Sequence, residues 1–175
     1  MEKITIYRKA QLGDARKLAI LYKQVYIQTY GTEGVSDEFA NFITKQFAVE
    51  RIENTLRENP NSIIVAEYNN NLVGVAEIEF AKKCPIDNII AAELNKPYIL
   101  EWFCGMGIGE KLLAFAEEII NDEGENLLWL WVLESNTRAI QFYEKHQFSV
   151  IGHAPFQMET NRYENKVMLK KIREK

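Results

Sequence analysis

The stretch Cys104-Gly105-Met106-Gly107-Ile108-Gly109 lies between two strongly patterned segments. Before it, Ile89 to Leu100 reads as a long strand. After it, Leu112, Leu113, Phe115, Ala116, Ile119 and Ile120 recur at helical spacing as far as Asp122. Glycines at such a junction remove the Cβ atoms that would keep a ligand from the backbone. The helix points its free N–H groups and positive dipole end at the same loop. A pyrophosphate can be held there without a lysine. The loop is not a Walker A sequence, which needs GxxxxGK[ST]. Nor is it a dinucleotide GxGxxG, because Glu110 stands where the third glycine would be. Taken alone, such a loop is more often a plain connector.

The elements around the loop extend the pattern. Ile4-Thr5-Ile6 reads as a first strand, stopped at Gly13-Asp14, with Asp14 as N-cap. Leu18, Leu21, Tyr22, Val25 and Thr29 predict a helix from Ala15 to Tyr30, broken by Gly31 to Gly34. Ser36-Asp37-Glu38 opens a second helix with an apolar stripe of Phe39, Phe42, Ile43 and Phe47, and a third covers Val49 to Arg57. Ser62–Tyr68 and Leu72–Phe80 flank Asn69-Asn70-Asn71, a hairpin signal because Asn tolerates left-handed backbone. A loop follows at Lys82–Asn88, around Pro85. Downstream, Asp122-Glu123-Gly124 ends the helix after the glycine loop. Leu127–Leu133 is almost wholly apolar, as for a strand buried on both faces. Asn136–His146 is amphipathic. Strands at Ser149–Met158 and Asn165–Lys171 complete the chain, joined by a turn at Thr160–Tyr163. The order β-α-α-α-β-β-β-α-β-α-β-β implies an α/β sheet with helices on both faces.

A length of 175 residues argues for a single domain, 1–175, with a core that needs no metal or disulfide. Twenty-one Lys and Arg against 25 Asp and Glu give a net charge of −4, which argues against a nucleic-acid binder. Cys84, Cys104, His146 and His153 lack the tight spacing of a structural zinc site, so no metal is expected. The N-terminal MEKITIYRKA has no apolar signal region, and no run reaches the ~20 apolar residues of a membrane span. A cytoplasmic location is the resulting expectation.

Tyr98-Ile99-Leu100, then Cys104-x-x-Gly107-x-Gly109, then Leu112-Leu113, resembles motif A of the GNAT (GCN5-related) N-acetyltransferases. Asn136-x-x-Ala139-x-x-Phe142-Tyr143-x-x-x-x-Phe148 resembles motif B of the same family, in the right order and at the right separation. The resemblance covers nearly the whole chain. Val25–Tyr30, the Phe-rich second helix and the tail around Gly152, Phe156, Met158, Val167 and Met168 look most like the PaiA-type polyamine acetyltransferases. Three positions depart from the pattern. Cys104 replaces the usual Gln or Arg, Pro97 the usual apolar residue before Tyr98, and Gln147 the usual Gly before Phe148.

The resemblance implies a GNAT fold: a central, mixed but mostly antiparallel sheet whose fourth and fifth strands splay apart. It implies acetyl-CoA as acetyl donor, with the pantetheine arm on the main chain of Tyr98, Ile99 and Leu100. The pyrophosphate then lies on Cys104, Gly105, Met106, Gly107, Ile108 and Gly109, and Asn136 and Lys145 reach the arm and phosphates. Asn136 also reads as a helix N-cap, and Lys145 as a solvated helix residue. Acetyl transfer needs a deprotonated amine, a polarised thioester carbonyl and a proton for the leaving thiolate. Tyr143 matches the family's tyrosine that gives that proton, and Glu93 matches a glutamate that many members use as base. Without the motif, Tyr143 would read as core and Glu93 as a sheet-edge carboxylate.

Glu77 and Glu79 share one face of their strand. That face reads more readily as a wet surface than as a cleft for the acceptor. The expected acceptor is a small amine, most of all a polyamine such as spermidine. Tyr26, Tyr30, Glu77, Glu79 and Trp102 are candidate acceptor contacts, with Glu33, Asp37 and Glu38 nearby. Acetylation of a protein N-terminus, a lysine or another small amine is the alternative, as is a CoA-binding module without turnover. Family members are often dimers, so a homodimer is a further expectation; no nucleic acid or membrane partner is expected.

Overall fold

The computed structural model describes residues 5–172, so Ile4 of the expected first strand lies outside the described residues. Asn69 and Asn70 take left-handed backbone, with φ of 49° and 61°, and close the hairpin between β2 (Ile63–Tyr68) and β3 (Asn71–Lys83). The other strands are β1 (Thr5–Lys9), β4 (Ile90–Ile99), β5 (Leu127–Leu133), β6 (Ser149–Gln157) and β7 (Arg162–Lys171). The helices are α1 (Ala15–Tyr30), α2 (Asp37–Gln46), α3 (Val49–Glu58), α4 (Ile108–Asp122) and α5 (Thr137–Lys145). The strands form one sheet in the order β1-β2-β3-β4-β5-β7-β6, mixed because β4 and β5 run parallel. The described residues fall into two compact units. One runs as far as Glu77 and adds Lys96–Ala116; the other holds Ile78–Asn95 and continues from Glu117.

In the first unit α1 buries Leu18, Leu21, Tyr22, Val25 and Tyr26. Ser36 caps α2 as its sequence suggests, accepting a hydrogen bond from the Phe39 N–H at 3.2 Å. Tyr26 sits at the centre of an aromatic cluster, with Tyr30, Phe39, Phe42 and Phe47 at centroid distances of 4.4–5.7 Å. Asp14 corrects an expectation. It stands at the start of α1, but its carboxylate makes no cap of that helix; its bond to the Gln11 N–H belongs to a capping box on the short turn Leu12–Asp14. Instead it accepts from Arg8 at 2.7 Å and from the Gln11 N–H at 2.8 Å, while Arg8 also holds Glu67 at 2.6 Å. A charged guanidinium outcompetes the helix amides for that carboxylate. Arg8 holds the Asp14 carboxyl below the usual carboxylate range. The stabilisation is therefore present above the unfolded-state value and fades as pH falls through the folded one.

In the second unit β4 meets β5 through Ala92↔Leu128 and Glu93↔Trp129, and β5, β7 and β6 continue antiparallel. Leu128, Trp129, Leu130 and Val132 are buried, as their apolar run implies. Trp129 packs with Cys84, Ala91, Ala154 and Val167, and its indole N–H donates to the Ala91 carbonyl at 3.3 Å. β6 is an edge strand and carries Pro155 opposite Glu164.

Gly74 decides where α4 lies. A Cβ there would meet Leu112 Cδ1 at 3.2 Å and Ile108 Cγ2 at 3.3 Å, so β3 and the first turns of α4 approach as closely as a missing side chain allows. Gly74→Val should cost about 1–3 kcal/mol through overpacking, read as a lower denaturant midpoint at unchanged m-value. A variant as stable as the parent would show that α4 can shift freely.

Candidate active site

β4 ends at Ile99, and a short turn at Glu101–Phe103 leads into the glycine loop. Gly105 and Gly107 have φ of 82° and 76°, and a Cβ on either would have nothing within 4 Å. The loop thus needs glycine for its handedness and leaves open space beside its backbone. The Lys111 N–H bonds back to the Gly107 carbonyl at 3.2 Å, so Gly107 caps α4. The amides of Ile108, Gly109 and Glu110 then form the first turn, which has no intrahelical acceptor. Exposed glycine backbone and a helix N-terminus fit a pyrophosphate. The Cys104 thiol turns back to the strand end, 3.7 Å from the Leu100 carbonyl, so this position supplies no side-chain donor to the loop.

The backbone just before Tyr98 is unusual. Lys96 has φ of 51° although Pro97 follows, and a residue before proline favours extended backbone. Left-handed backbone costs a residue with a side chain about 1–2 kcal/mol. The Lys96 ammonium lies 2.7 Å from Glu77 Oε1, and the Tyr22 hydroxyl donates to Glu77 Oε2 at 2.9 Å. Tyr98 meets Tyr22 edge-on at 6.0 Å. Burial, and then the Glu77 carboxylate, push the Tyr22 phenol well above its ordinary range, so it stays a neutral donor. Glu77 is only 7% exposed, which corrects its reading as part of a wet strand face. Tyr22 and Lys96 cover it, and neither carries a periodic signal for doing so.

Glu79, on the same strand but in the second unit, keeps more contact with water. It accepts from Asn95 at 2.8 Å and from Lys82 at 2.5 Å, and the Lys82 ammonium is raised chiefly by that bond. Glu93 is buried in an interior strand rather than at a sheet edge. It faces Trp129 in register and contributes to raising Lys82 and, after burial, Cys84.

On α5, Asn136 is the N-cap, accepting from the Ala139 N–H at 3.1 Å. Tyr143 is buried, with Phe142 and Phe148 at 5.3 and 5.4 Å. The helix ends in a paired turn: the Phe148 N–H bonds to the Tyr143 carbonyl and the Gln147 N–H to that of Glu144, both at 3.0 Å. This is a Schellman arrangement, and it places Gln147 at φ 70°. The turn explains why a glycine suits this motif position, and it fixes the backbone that carries Tyr143. Lys145 is exposed. Of the acceptor candidates, Tyr26 is buried in the aromatic cluster, Tyr30 is half-buried against it and Trp102 is 93% exposed.

A family model described as the acetyltransferase (GNAT) family matches residues 24–148. The chain belongs to the GNAT family of acetyltransferases. An uncharacterized N-acetyltransferase of Mycobacterium tuberculosis is 23% identical over 161 residues, covering 92% of this chain and 99% of the relative. One from Archaeoglobus fulgidus is 26% identical over 122 residues, covering 70% and 80%. Among solved structures, the PaiA N-acetyltransferase of Thermoplasma acidophilum in complex with coenzyme A superposes with a TM-score of 0.74 at 24% identity, covering 96% of this chain and 99% of that one. The structure of yncA from Salmonella typhimurium with its cofactor acetyl-CoA gives 0.72 at 16% identity, covering 98% and 96%. This GNAT chain is an acetyl-CoA-dependent N-acetyltransferase, and the fold implied by its motifs is the one it has. Among the described residues, no helix is long and apolar enough to cross a membrane.

The GNAT motif position held by Gln147 makes a stability prediction. Gln147→Gly should stabilise the protein by about 1 kcal/mol by relieving the left-handed backbone, read as a raised melting temperature. A lowered melting temperature would mean that the Gln side chain contributes more than the strain costs.

Proposed function

We propose that this enzyme acetylates a small polycationic amine, spermidine or spermine in type, by direct transfer from acetyl-CoA. The observation that carries the reading is an acidic run at the α1–α2 turn: Glu33 and Asp37 are exposed and Glu38 is half-buried beside them. The likeness to a PaiA N-acetyltransferase points the same way. The exposed Trp102 adds an aromatic face that suits ammonium groups on a methylene chain, and Glu79 is a further candidate carboxylate. Tyr30 offers a further aromatic edge. Tyr26 supports that wall from within the cluster, and Glu77 acts through its bond to Lys96.

The roles follow from the chemistry. The main chain of Tyr98, Ile99 and Leu100 takes the pantetheine arm. The segment Cys104–Gly109 takes the pyrophosphate, and Asn136 and Lys145 reach the arm and phosphates. The acceptor amine gives up a proton, through water, to Glu93. Its nitrogen then bonds to the acetyl carbon, the carbon–sulfur bond breaks, Tyr143 protonates the departing thiolate, and the surplus proton on the new amide nitrogen leaves to restore the Tyr143 phenol. No acyl-enzyme is needed, so Cys104 is a replacement at a polar position and not a nucleophile. We further read the enzyme as cytoplasmic and homodimeric.

Removing a general acid costs on the order of 10²–10⁴-fold in rate. Tyr143→Phe keeps the ring against Phe142 and Phe148 and should lower kcat by that order, with little change in melting temperature. Near-normal turnover would make Tyr143 a packing residue.

The acceptor is tested by free-thiol release with acetyl-CoA and spermidine, a monoamine or a lysine-bearing peptide, each at two salt concentrations. Spermidine should give the highest kcat/KM, and its advantage should shrink as salt rises, because exposed carboxylates are screened. A preference for the peptide would assign the enzyme to protein acetylation. Absence of turnover with every amine would leave a CoA-binding module.

A further inference from the structure

We propose that Lys96, Glu77 and Tyr22 form a lock that holds the end of β4 in the one backbone conformation that presents Tyr98–Leu100 to the pantetheine arm. Lys96 and Glu77 are then positioning residues for the known reaction. The inference rests on the reading that this main chain is where pantetheine binds.

The argument starts from the backbone. Lys96 sits in left-handed backbone inside a ten-residue strand, with φ of 51°. It is neither Gly nor Asn, the residues that adopt this region readily, and the proline after it pushes it toward extended backbone. Such a conformation persists only where the surroundings over-determine it, and positions of this kind cluster at functional sites.

The surroundings at Lys96 come from two other elements of the same unit. Its ammonium is held at 2.7 Å by Glu77, with side-chain exposures of only 19% and 9%. Glu77 is held in turn by the Tyr22 hydroxyl at 2.9 Å, and Lys96 Nζ lies 5.6 Å from the centre of the Tyr22 ring. Tyr22 is 1% exposed and fixed between Phe47 and Tyr98. The carboxylate is thus oriented from both oxygens, and the lysine chain is pulled inward across the turn. A half-buried ammonium needs its carboxylate, since removing one partner strands the other charge away from water. The pair therefore resists any movement of Lys96 toward an extended backbone, which would carry the side chain to the other face of the strand.

The consequence falls on the next residues. Pro97 offers no N–H, and the Leu100 N–H is already given to the Val73 carbonyl at 2.9 Å. The handedness at Lys96 bears on the direction in which the peptide groups that follow, those of Tyr98 and Ile99, point. A ligand arm that binds as an added strand depends on that direction, because its hydrogen bonds are made only to groups aimed at it.

The test compares affinities for coenzyme A and for adenosine 3′,5′-bisphosphate, which lacks the pantetheine arm and one phosphate of the pyrophosphate, by calorimetry or displacement. The variants are Lys96→Arg, Lys96→Gly and the double Glu77→Gln/Lys96→Met. The double change removes both charges at once, which a buried pair often tolerates without loss of fold. Lys96→Gly relieves the strain but removes the anchor.

The wild type should bind coenzyme A more tightly than the bisphosphate. Lys96→Gly and the double variant should lose that preference by on the order of tenfold while binding the bisphosphate as before. Lys96→Arg should keep most of it. A purely structural ion pair would weaken both ligands alike or neither. A wild type with no preference for coenzyme A overturns the pantetheine reading on which the proposal rests. A wild-type preference that survives intact in folded Lys96→Gly and in the folded double variant overturns the lock alone.

Discussion

The close approach of α4 to β3 over Gly74 is the constraint on which the co-substrate site depends. Ile108 and Leu112 come within van der Waals contact of the position where a Cβ would stand, and Ile108 is the first residue of the helix. Packing at this point therefore fixes the helix N-terminus itself and not some later turn. The glycine loop has little to hold it apart from its two ends. One is anchored through the Leu100 amide on Val73, and the other through the first turn of α4 beside Gly74. Neighbouring residues of a single strand thus set both ends of the loop, and its amides inherit their direction from that packing.

Much of this was legible in the sequence because it is carried by periodicity and turn chemistry. The hairpin at Asn69–Asn70, the cap at Ser36, the cap at Asn136 and the buried run of β5 all follow from local rules. The family was legible because two spaced motifs each require particular residue types. What could not be read was charge pairing across the sheet. Glu77 and Glu79 have the same spacing and the same chemistry, yet one is buried by Tyr22 and Lys96 and the other stays half in water. The pattern of a strand reports which side a residue faces; it says nothing of what the neighbouring helix brings to that side. Asp14 failed in the same way. Its position suits a cap, and only the fold brings Arg8 to it.

Handedness was the second thing hidden. Lys96 and Gln147 carry ordinary side chains in left-handed backbone, and composition gives no warning of either. In both cases the strain sits within four residues of a position that the family uses. Gln147 closes the turn that holds Tyr143, and Lys96 precedes the peptide groups of Tyr98 and Ile99. Both fall where a sequence rule is broken, by a glycine missing from a motif or by a lysine placed before a strand proline. Such breaks are where a fold spends conformational strain on geometry it needs elsewhere.

The two outermost strands bear on behaviour at high concentration. On β6, Pro155 interrupts the row of donors that an incoming strand would need. On β1, Arg8 and Lys9 put cations at the end of the edge, and Arg8 is tied inward to Asp14 and Glu67. Sheets protected in this way resist growth by strand addition from another copy. Contacts between copies then fall to side-chain surfaces, where the symmetry of the patch decides whether an assembly closes.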